Sequence, residues 1–323
     1  MSISSLLTGW TVPTTSKTVH VRKYSTTGDI LSFKRCPRQY GYFGVRGFSS
    51  ATATQRYFGT LVHDVLDRIH RGYREDPRAG LPDEETVATL VIEAHDRLIR
   101  SGVRPYSARQ QQKLATKLIS RFVSSVGPHF FPHVRQTEYR LERALQTHTG
   151  RDYVLEGIVD VLSGSVSHAL ELPVSTDPDD VEVWDYKSGR MPAKGSQELT
   201  DYEYQMRVYA ELYRQQTGEY PARCVLVFVG ELGDDRRWEM SAGVARHFPN
   251  LFYIVQPNPA HIERAMDDFH QTVELIELER AKPFAEQWAP PAHSVDAATC
   301  EACEIRYSCA SFGDAARQRK EPL

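Results

Sequence analysis

Asp185 and Lys187 stand two residues apart in Val183-Trp184-Asp185-Tyr186-Lys187-Ser188-Gly189. Side chains alternate along a strand, so the carboxylate and the ammonium point to the same face. A second acid, Asp160, closes the segment Leu155-Glu156-Gly157-Ile158-Val159-Asp160. If the two strands pair as a hairpin, Asp160 and Asp185 meet at one edge. Two carboxylates beside one lysine suit phosphodiester hydrolysis. Hard Mg²⁺ or Mn²⁺ takes oxygen ligands, and such an ion acidifies water and neutralises charge on the scissile phosphate. The lysine can orient that water or stabilise charge developing in the transition state. An acid and a lysine at this spacing also fit the polar end of a buried strand, so the surrounding elements decide between the two.

Those elements are readable from periodicity. Residues 25–43 form a short helix running into a turn at Cys36-Pro37. Residues 57–73 carry Leu61, Val62, Val65, Leu66 and Ile69 at helical spacing, with His63 early in the helix. Pro82-Asp83-Glu84-Glu85 starts a helix to about Arg100, and another runs from Ala108 to Ser125. From Thr137 the pattern turns to strands, over Thr137–Gln146, Tyr153–Leu162 and Val181–Tyr186. A loop rich in Ser, Pro and Asp, residues 163–180, separates the last two. A helix from Leu199 to Gln216 carries Tyr202, Met206, Tyr209 and Tyr213, and places Gln205 and Tyr209 on one face. Cys224 to Val229 reads as a buried strand, and Pro259–Ala281 as a last helix. This order describes an α/β fold with a mixed sheet flanked by helices. The expected organisation is a polar arm over 1–24 and one domain over 25–323. Within that domain lie a helical insertion (57–130), a catalytic sheet and helix (137–230) and a cysteine-bearing segment (290–323).

Composition limits the possibilities. The 323 residues are 41% hydrophobic and 25% charged, enough for a soluble core and not the profile of a disordered chain. No run of 18 apolar residues exists to cross a membrane. The start, MSISSLLTGW, lacks the features of a secretory signal, and the first 28 residues hold too few basic residues for a transit peptide. A cytoplasmic location without membrane contact is expected. The net charge of −3 means that any nucleic-acid site must be a local patch. Lys17, Arg22, Lys23, Lys34, Arg35, Arg38 and Arg46 face only Asp29 and offer one, or an ordinary solvated stretch. Glu138 alternates with Arg140 and Glu142, which fits either an acid assisting the site or a solvated face.

Five cysteines, an odd number without a secretion signal, argue against a disulfide framework. Cys300, Cys303 and Cys309 supply three thiolates in one compact segment, and a fourth must come from elsewhere. Cys36 is the better candidate, because Cys224 lies in an apolar strand and reads as an inert buried residue. Thiolates suit either zinc or an iron–sulfur cluster. A zinc ribbon usually offers two C-x₂-C pairs, and this chain has one.

The ordered set GTLVH, EGIVD, WDYKSG and QMRVY resembles the RecB-like branch of the PD-(D/E)XK nucleases, whose pattern is G-x-x-x-H, G-x-x-D, D-Y-K and Q-x-x-x-Y. The likeness covers about residues 59–209. It implies that Asp160 and Asp185 bind Mg or Mn, with His63 and the Tyr186 carbonyl as further ligands and Lys187 as the catalytic lysine. Gln205 would hold the site or the DNA, and Tyr209 would pack or stack nearby. Gln205, Tyr209 and Arg190 are the DNA-binding candidates. The 163–180 loop is longer than the family's tight hairpin. Cys36-Pro37-Arg38-Gln39-Tyr40 followed by the C-terminal triplet resembles the iron–sulfur subgroup, which includes the AddB nuclease domain and the CRISPR adaptation nuclease. That implies a [4Fe–4S] cluster on Cys36, Cys300, Cys303 and Cys309, with zinc as the alternative. Clamping the two ends would remove roughly 5–6 kcal/mol of unfolded-chain freedom. The implied activity is an exonuclease or flap nuclease on single-stranded DNA ends. Two other readings stay open: a nuclease subunit working with a helicase or CRISPR adaptation proteins, and a DNA-binding scaffold with a dead site. The chain has no Walker A motif, so any motor is another protein.

Overall fold

The computed structural model describes residues 21–47, 54–103, 105–172, 177, 180–240, 248–289, 295, 297–309 and 312. β1 (Lys23–Ser25) leads into a wound segment of π-helical turns with two short helices, α1 (Ser32–Arg35) and α2 (Pro37–Tyr40). Four helices follow: α3 (Thr54–Glu75), α4 (Glu84–Arg100), α5 (Ala108–Ser125) and α6 (Gly127–Phe130). Next come β2 (Val134–Gln146), β3 (Asp152–Ser163), α7 (Val166–Ala169), β4 (Glu182–Lys187) and α8 (Gln197–Thr217). The chain continues through β5 (Arg223–Phe228), α9 (Asp235–Met240), β6 (Phe252–Val255), α10 (Pro259–Ala281) and α11 (Ala297–Ala302).

The six strands form one mixed sheet centred on β3. β2 runs antiparallel along one edge of β3, from the Gln146–Asp152 pair to the Val134–Ser163 pair. The other edge of β3 is shared. β1 pairs parallel with Val154, Leu155 and Glu156, and β4 pairs antiparallel with Val161, Leu162 and Ser163. β4 then pairs parallel with all of β5, and β6 closes that side antiparallel. The expected mixed sheet flanked by helices is therefore present, with two strands that were not expected. Lys23 and Tyr24 belong to β1 rather than to a polar arm, and Tyr24 is 1% exposed. Residues 1–20 of that arm lie outside the described residues. β1 and β6 are three and four residues long, too short to display a period of their own.

Each face of the sheet buries its own core. α8, α10 and the wound segment cover Leu155, Val159, Val183, Leu226 and Phe228. α3, α4 and α5 cover Val161, Trp184, Tyr186, Val225 and Val227. β5 is thus apolar from Cys224 to Phe228, because both of its faces are dry. The helices begin where side-chain caps are available: Asp83 accepts from the Thr86 amide, Ser196 from Leu199 and Asn258 from His261. α8 stops at Gly218, whose φ of 95° a side chain would resist. No helix among the described residues is long and apolar enough to cross a membrane.

The two ends of the domain meet by packing. Trp288 is fully buried against Phe33 and Tyr40, with ring centroids 6.5 and 5.7 Å away. Gly41 leaves the room, since a Cβ there would lie 2.0 Å from the indole. Arg46 donates to the Phe284 carbonyl at 3.1 Å and Arg38 to the Ser308 carbonyl at 3.3 Å. Emptying the Trp288 site is expected to cost about 3–5 kcal/mol. Urea denaturation of Trp288→Ala against the parent chain, followed by far-UV circular dichroism, measures it.

Candidate active site

The site forms where β3 and β4 part. Their pairing runs through Ser163–Glu182, Leu162–Val183 and Val161–Trp184, and then stops. Asp185 and then Tyr186 would follow in the ladder, but the Tyr186 amide donates to Asp160 Oδ2 at 2.7 Å. A side-chain carboxylate thereby replaces the strand partner that the divergence removed, and the buried amide is satisfied. Opposite Asp160, between the Thr137–Val161 and Tyr139–Val159 pairs, Glu138 takes a left-handed φ of 48°. Regular alternation fails here as well: Val159 belongs to one core and Val161 to the other.

Helices from both faces complete the pocket. On one side, α3 presents His63, whose Nδ1 lies 3.2 Å from Asp160 Oδ1. On the other, α8 presents Gln205, which accepts from Lys187 Nζ at 2.9 Å and donates to Asp185 Oδ1 at 3.3 Å and to the Tyr209 hydroxyl at 2.9 Å. Lys187 Nζ also lies 2.6 Å from Asp185 Oδ2, so the two do share one face. The Lys187 ammonium sits 4.5 Å from the centre of the Tyr202 ring. His63, Asp160, Asp185, Tyr186, Lys187, Gln205 and Tyr209 all line one pocket, together with Thr27, Ser188 and Tyr202.

The environment divides the two acids. Burial penalises charge on Asp160, yet the His63 charge, its hydrogen bond and the Tyr186 amide hold the carboxyl below its ordinary value. Burial lifts Asp185, 3% exposed, above its ordinary value against the pull of Lys187. Burial also disfavours charge on His63, but Asp160 and then Asp185 raise it to about 9. Two carboxylates, one imidazole and the Tyr186 carbonyl form a hard donor set suited to a divalent ion. Among the described residues, however, no three His, Cys, Asp or Glu side chains converge tightly enough to hold an ion as they stand.

Several neighbours escape a reading of the sequence alone. Tyr186 turns away from the pocket face and hydrogen-bonds His70 Nε2 at 2.8 Å. Burial lowers His70 to about 3, so it is a neutral core residue. Its place opposite Asp185 in the strand alternation is the signal that could have revealed that contact. Thr27 arrives from the wound segment after β1, which no motif announced. Glu138 lines an adjoining pocket with His63, Asp64, Asp67 and Asp160, where burial and then the Asp160 and Asp67 charges raise its carboxyl. Arg190 is exposed and lies outside the lining of the site pocket, unlike the other candidates. Cys224 is 1% exposed in β5, as its apolar surroundings imply. Cys36, Cys300, Cys303 and Cys309 line one further pocket between the two ends of the domain.

Gly157 holds the Tyr209 wall in place, because a Cβ there would meet that ring at 2.8 Å. Gly157→Ala is expected to cost about 1–3 kcal/mol by overpacking. Tyr209→Ala in the same chain should return part of it, which a double-mutant cycle by urea denaturation measures.

No curated protein matches the chain. The solved structure of SSO0001 aligns over 88% of this chain and 98% of its own, at 12% identity and a TM-score of 0.31. A family match spans residues 27–310 and takes in every element of the pocket; by it, the chain belongs to the PD-(D/E)XK nuclease superfamily.

Proposed function

We propose that the protein is a Mg²⁺- or Mn²⁺-dependent deoxyribonuclease acting on single-stranded DNA ends. The observation that carries this reading is the convergence of Asp160, Asp185, Lys187 and His63 on one pocket of a PD-(D/E)XK fold. Asp160, Asp185, His63 and the Tyr186 carbonyl are the groups that would hold the ion. Once bound, that ion supplies a more acidic water and neutralises charge on the phosphate. The chain's own groups do the rest. Lys187, fixed between Asp185 and Gln205, places a positive charge where the phosphate oxygens gain negative charge. Gln205 ties that lysine to the Tyr209 hydroxyl. Tyr202 offers an aromatic ring on which a base can stack, and stacking tolerates every sequence.

Asp160→Asn, Asp185→Asn and Lys187→Gln keep side-chain size and are expected to leave the fold intact. Each should lower cleavage of a labelled single-stranded oligonucleotide by about a hundredfold or more. Wild-type rates in all three, with Mn²⁺ present, would remove the assignment. A blunt duplex of the same sequence should be cut more slowly by the parent chain.

The cysteine pocket supports a second element of the reading, a [4Fe–4S] cluster on Cys36, Cys300, Cys303 and Cys309. Its role would be to tie the Cys36 segment to residues 300–309, which Arg38 already meets at the Ser308 carbonyl. Carboxylate-held ions exchange readily and thiolate-held clusters do not. Brief EDTA treatment of anaerobically purified protein should therefore stop cleavage while the brown colour stays, and added Mn²⁺ should restore it. Replacing any of the four cysteines by Ala should remove the colour and lower stability, whereas Cys224→Ala keeps the colour. One zinc per chain, without iron or acid-labile sulfide, is the result that overturns the cluster.

A further inference from the structure

Three arginines and three aromatic rings form a continuous row on the face that carries the cysteine pocket. It begins at Tyr307, 81% exposed, with the Arg306 guanidinium 4.5 Å from the ring centre. The next residue, Ser308, accepts from Arg38 through its carbonyl at 3.3 Å. Arg38 lies 5.4 Å from the centre of the Tyr42 ring, and Arg46 lies 5.3 Å from the same ring. Arg46 then reaches Phe284, 73% exposed, at 4.1 Å. The row draws on three segments far apart in sequence, so no local run of residues accounts for it. Its arginines donate to the carbonyls of Ser308, Phe284 and Cys303 and to the Tyr307 hydroxyl. Among the described residues none of the three guanidiniums forms an ion pair, on a chain whose net charge is −3.

We propose that this row is a second binding path for single-stranded nucleic acid, with phosphates on the guanidiniums and bases on the rings. Charge complementarity chooses the occupant: arginines with no ion pair among the described residues attract a polyanion, and interleaved rings fit bases, whose flat faces a duplex would hide. A path and a pocket must also be connected. α1 ends with Arg35, which lies within electrostatic reach of Tyr202 in the pocket, and Arg38 follows in α2, past the extended backbone of Cys36. The inference rests on the nuclease reading of the pocket and adds where the strand runs beyond the bond being cut.

The experiment uses the full chain, prepared anaerobically. Phe284→Ala and Tyr307→Ala are combined, because both rings are exposed and their loss spares the core. Arg46→Gln is a separate variant. Binding of labelled oligo(dT) is followed by fluorescence anisotropy in an Asp160→Asn background, which blocks cleavage. An oligomer of about 25 nucleotides should bind at least about fivefold more weakly per ring removed. An oligomer of about four nucleotides, filling the pocket alone, should be cut at the parent rate in the Asp160 chain. Arg46→Gln should lower the salt slope of the longer oligomer by about one. Unchanged affinity for the longer oligomer in both variants overturns the path, as does equal loss for both lengths. Unchanged DNA affinity with poly-L-glutamate binding that the variants abolish assigns the row to an acidic protein, and overturns it too. If the parent chain cuts no nucleic acid while long-oligomer binding still responds, the nuclease reading fails and the path stands. If the parent cuts and binding does not respond, only the path fails.

Discussion

The limited pairing of β3 with β4 governs everything built around it. Three residue pairs join them, and then β4 follows β5 while β3 follows β2. Two strands that part inside a protein expose backbone groups in a dry place, and an unpaired buried amide is costly. Asp160 resolves that cost with its side chain, donating nothing and accepting the Tyr186 amide. A catalytic-type carboxylate is therefore also a structural one. Through the wedge between the strands, α3 and α8, on opposite faces of the sheet, both reach the same few atoms. His63 enters from one face and Gln205 from the other.

That dual role explains the separation of the two acids. Asp160 is held by a charge and an amide, so its ionised form is favoured despite burial. Asp185 leans on Lys187 and Gln205 and feels the cost of burial more strongly. Equal residue types at one edge thus differ because β3 and β4 hand them to different helices. The same logic places Tyr186 between them on the far face, where its hydroxyl meets neutral His70 and its ring packs with Phe122 at 5.5 Å.

Strong periodicity made much of this legible in advance. The α5 and α10 boundaries coincide with the spans read from the sequence, and the long strands differ by only a few residues. The spacing of Asp185 and Lys187 anticipated a shared face, which the 2.6 Å contact realises. Features made by tertiary contact left no such mark. β1 exists because β3 has a free edge at Val154–Glu156, a condition stored about 130 residues later. Thr27 reaches the pocket for the same reason. The left-handed Glu138 follows from the divergence opposite it, not from any preference of glutamate. Arg190 falls outside the pocket that Gly189 still lines, where Gly230 packs directly on the Gly189 backbone.

The contact between Gly41 and Trp288 also sets a timetable for the protein's birth. A ribosome adds about 5–20 residues per second. The wound segment therefore waits about 12–50 s, the time needed to add the intervening chain, before the indole that seats it emerges. β1 waits less, for β3 alone. Over that interval Phe33 and Tyr40 have no Trp288 to pack on, and their rings stay available to chaperones and to neighbouring nascent chains. The helices α3 to α5 pack on one another and can begin to assemble early, before the strands they cover have emerged.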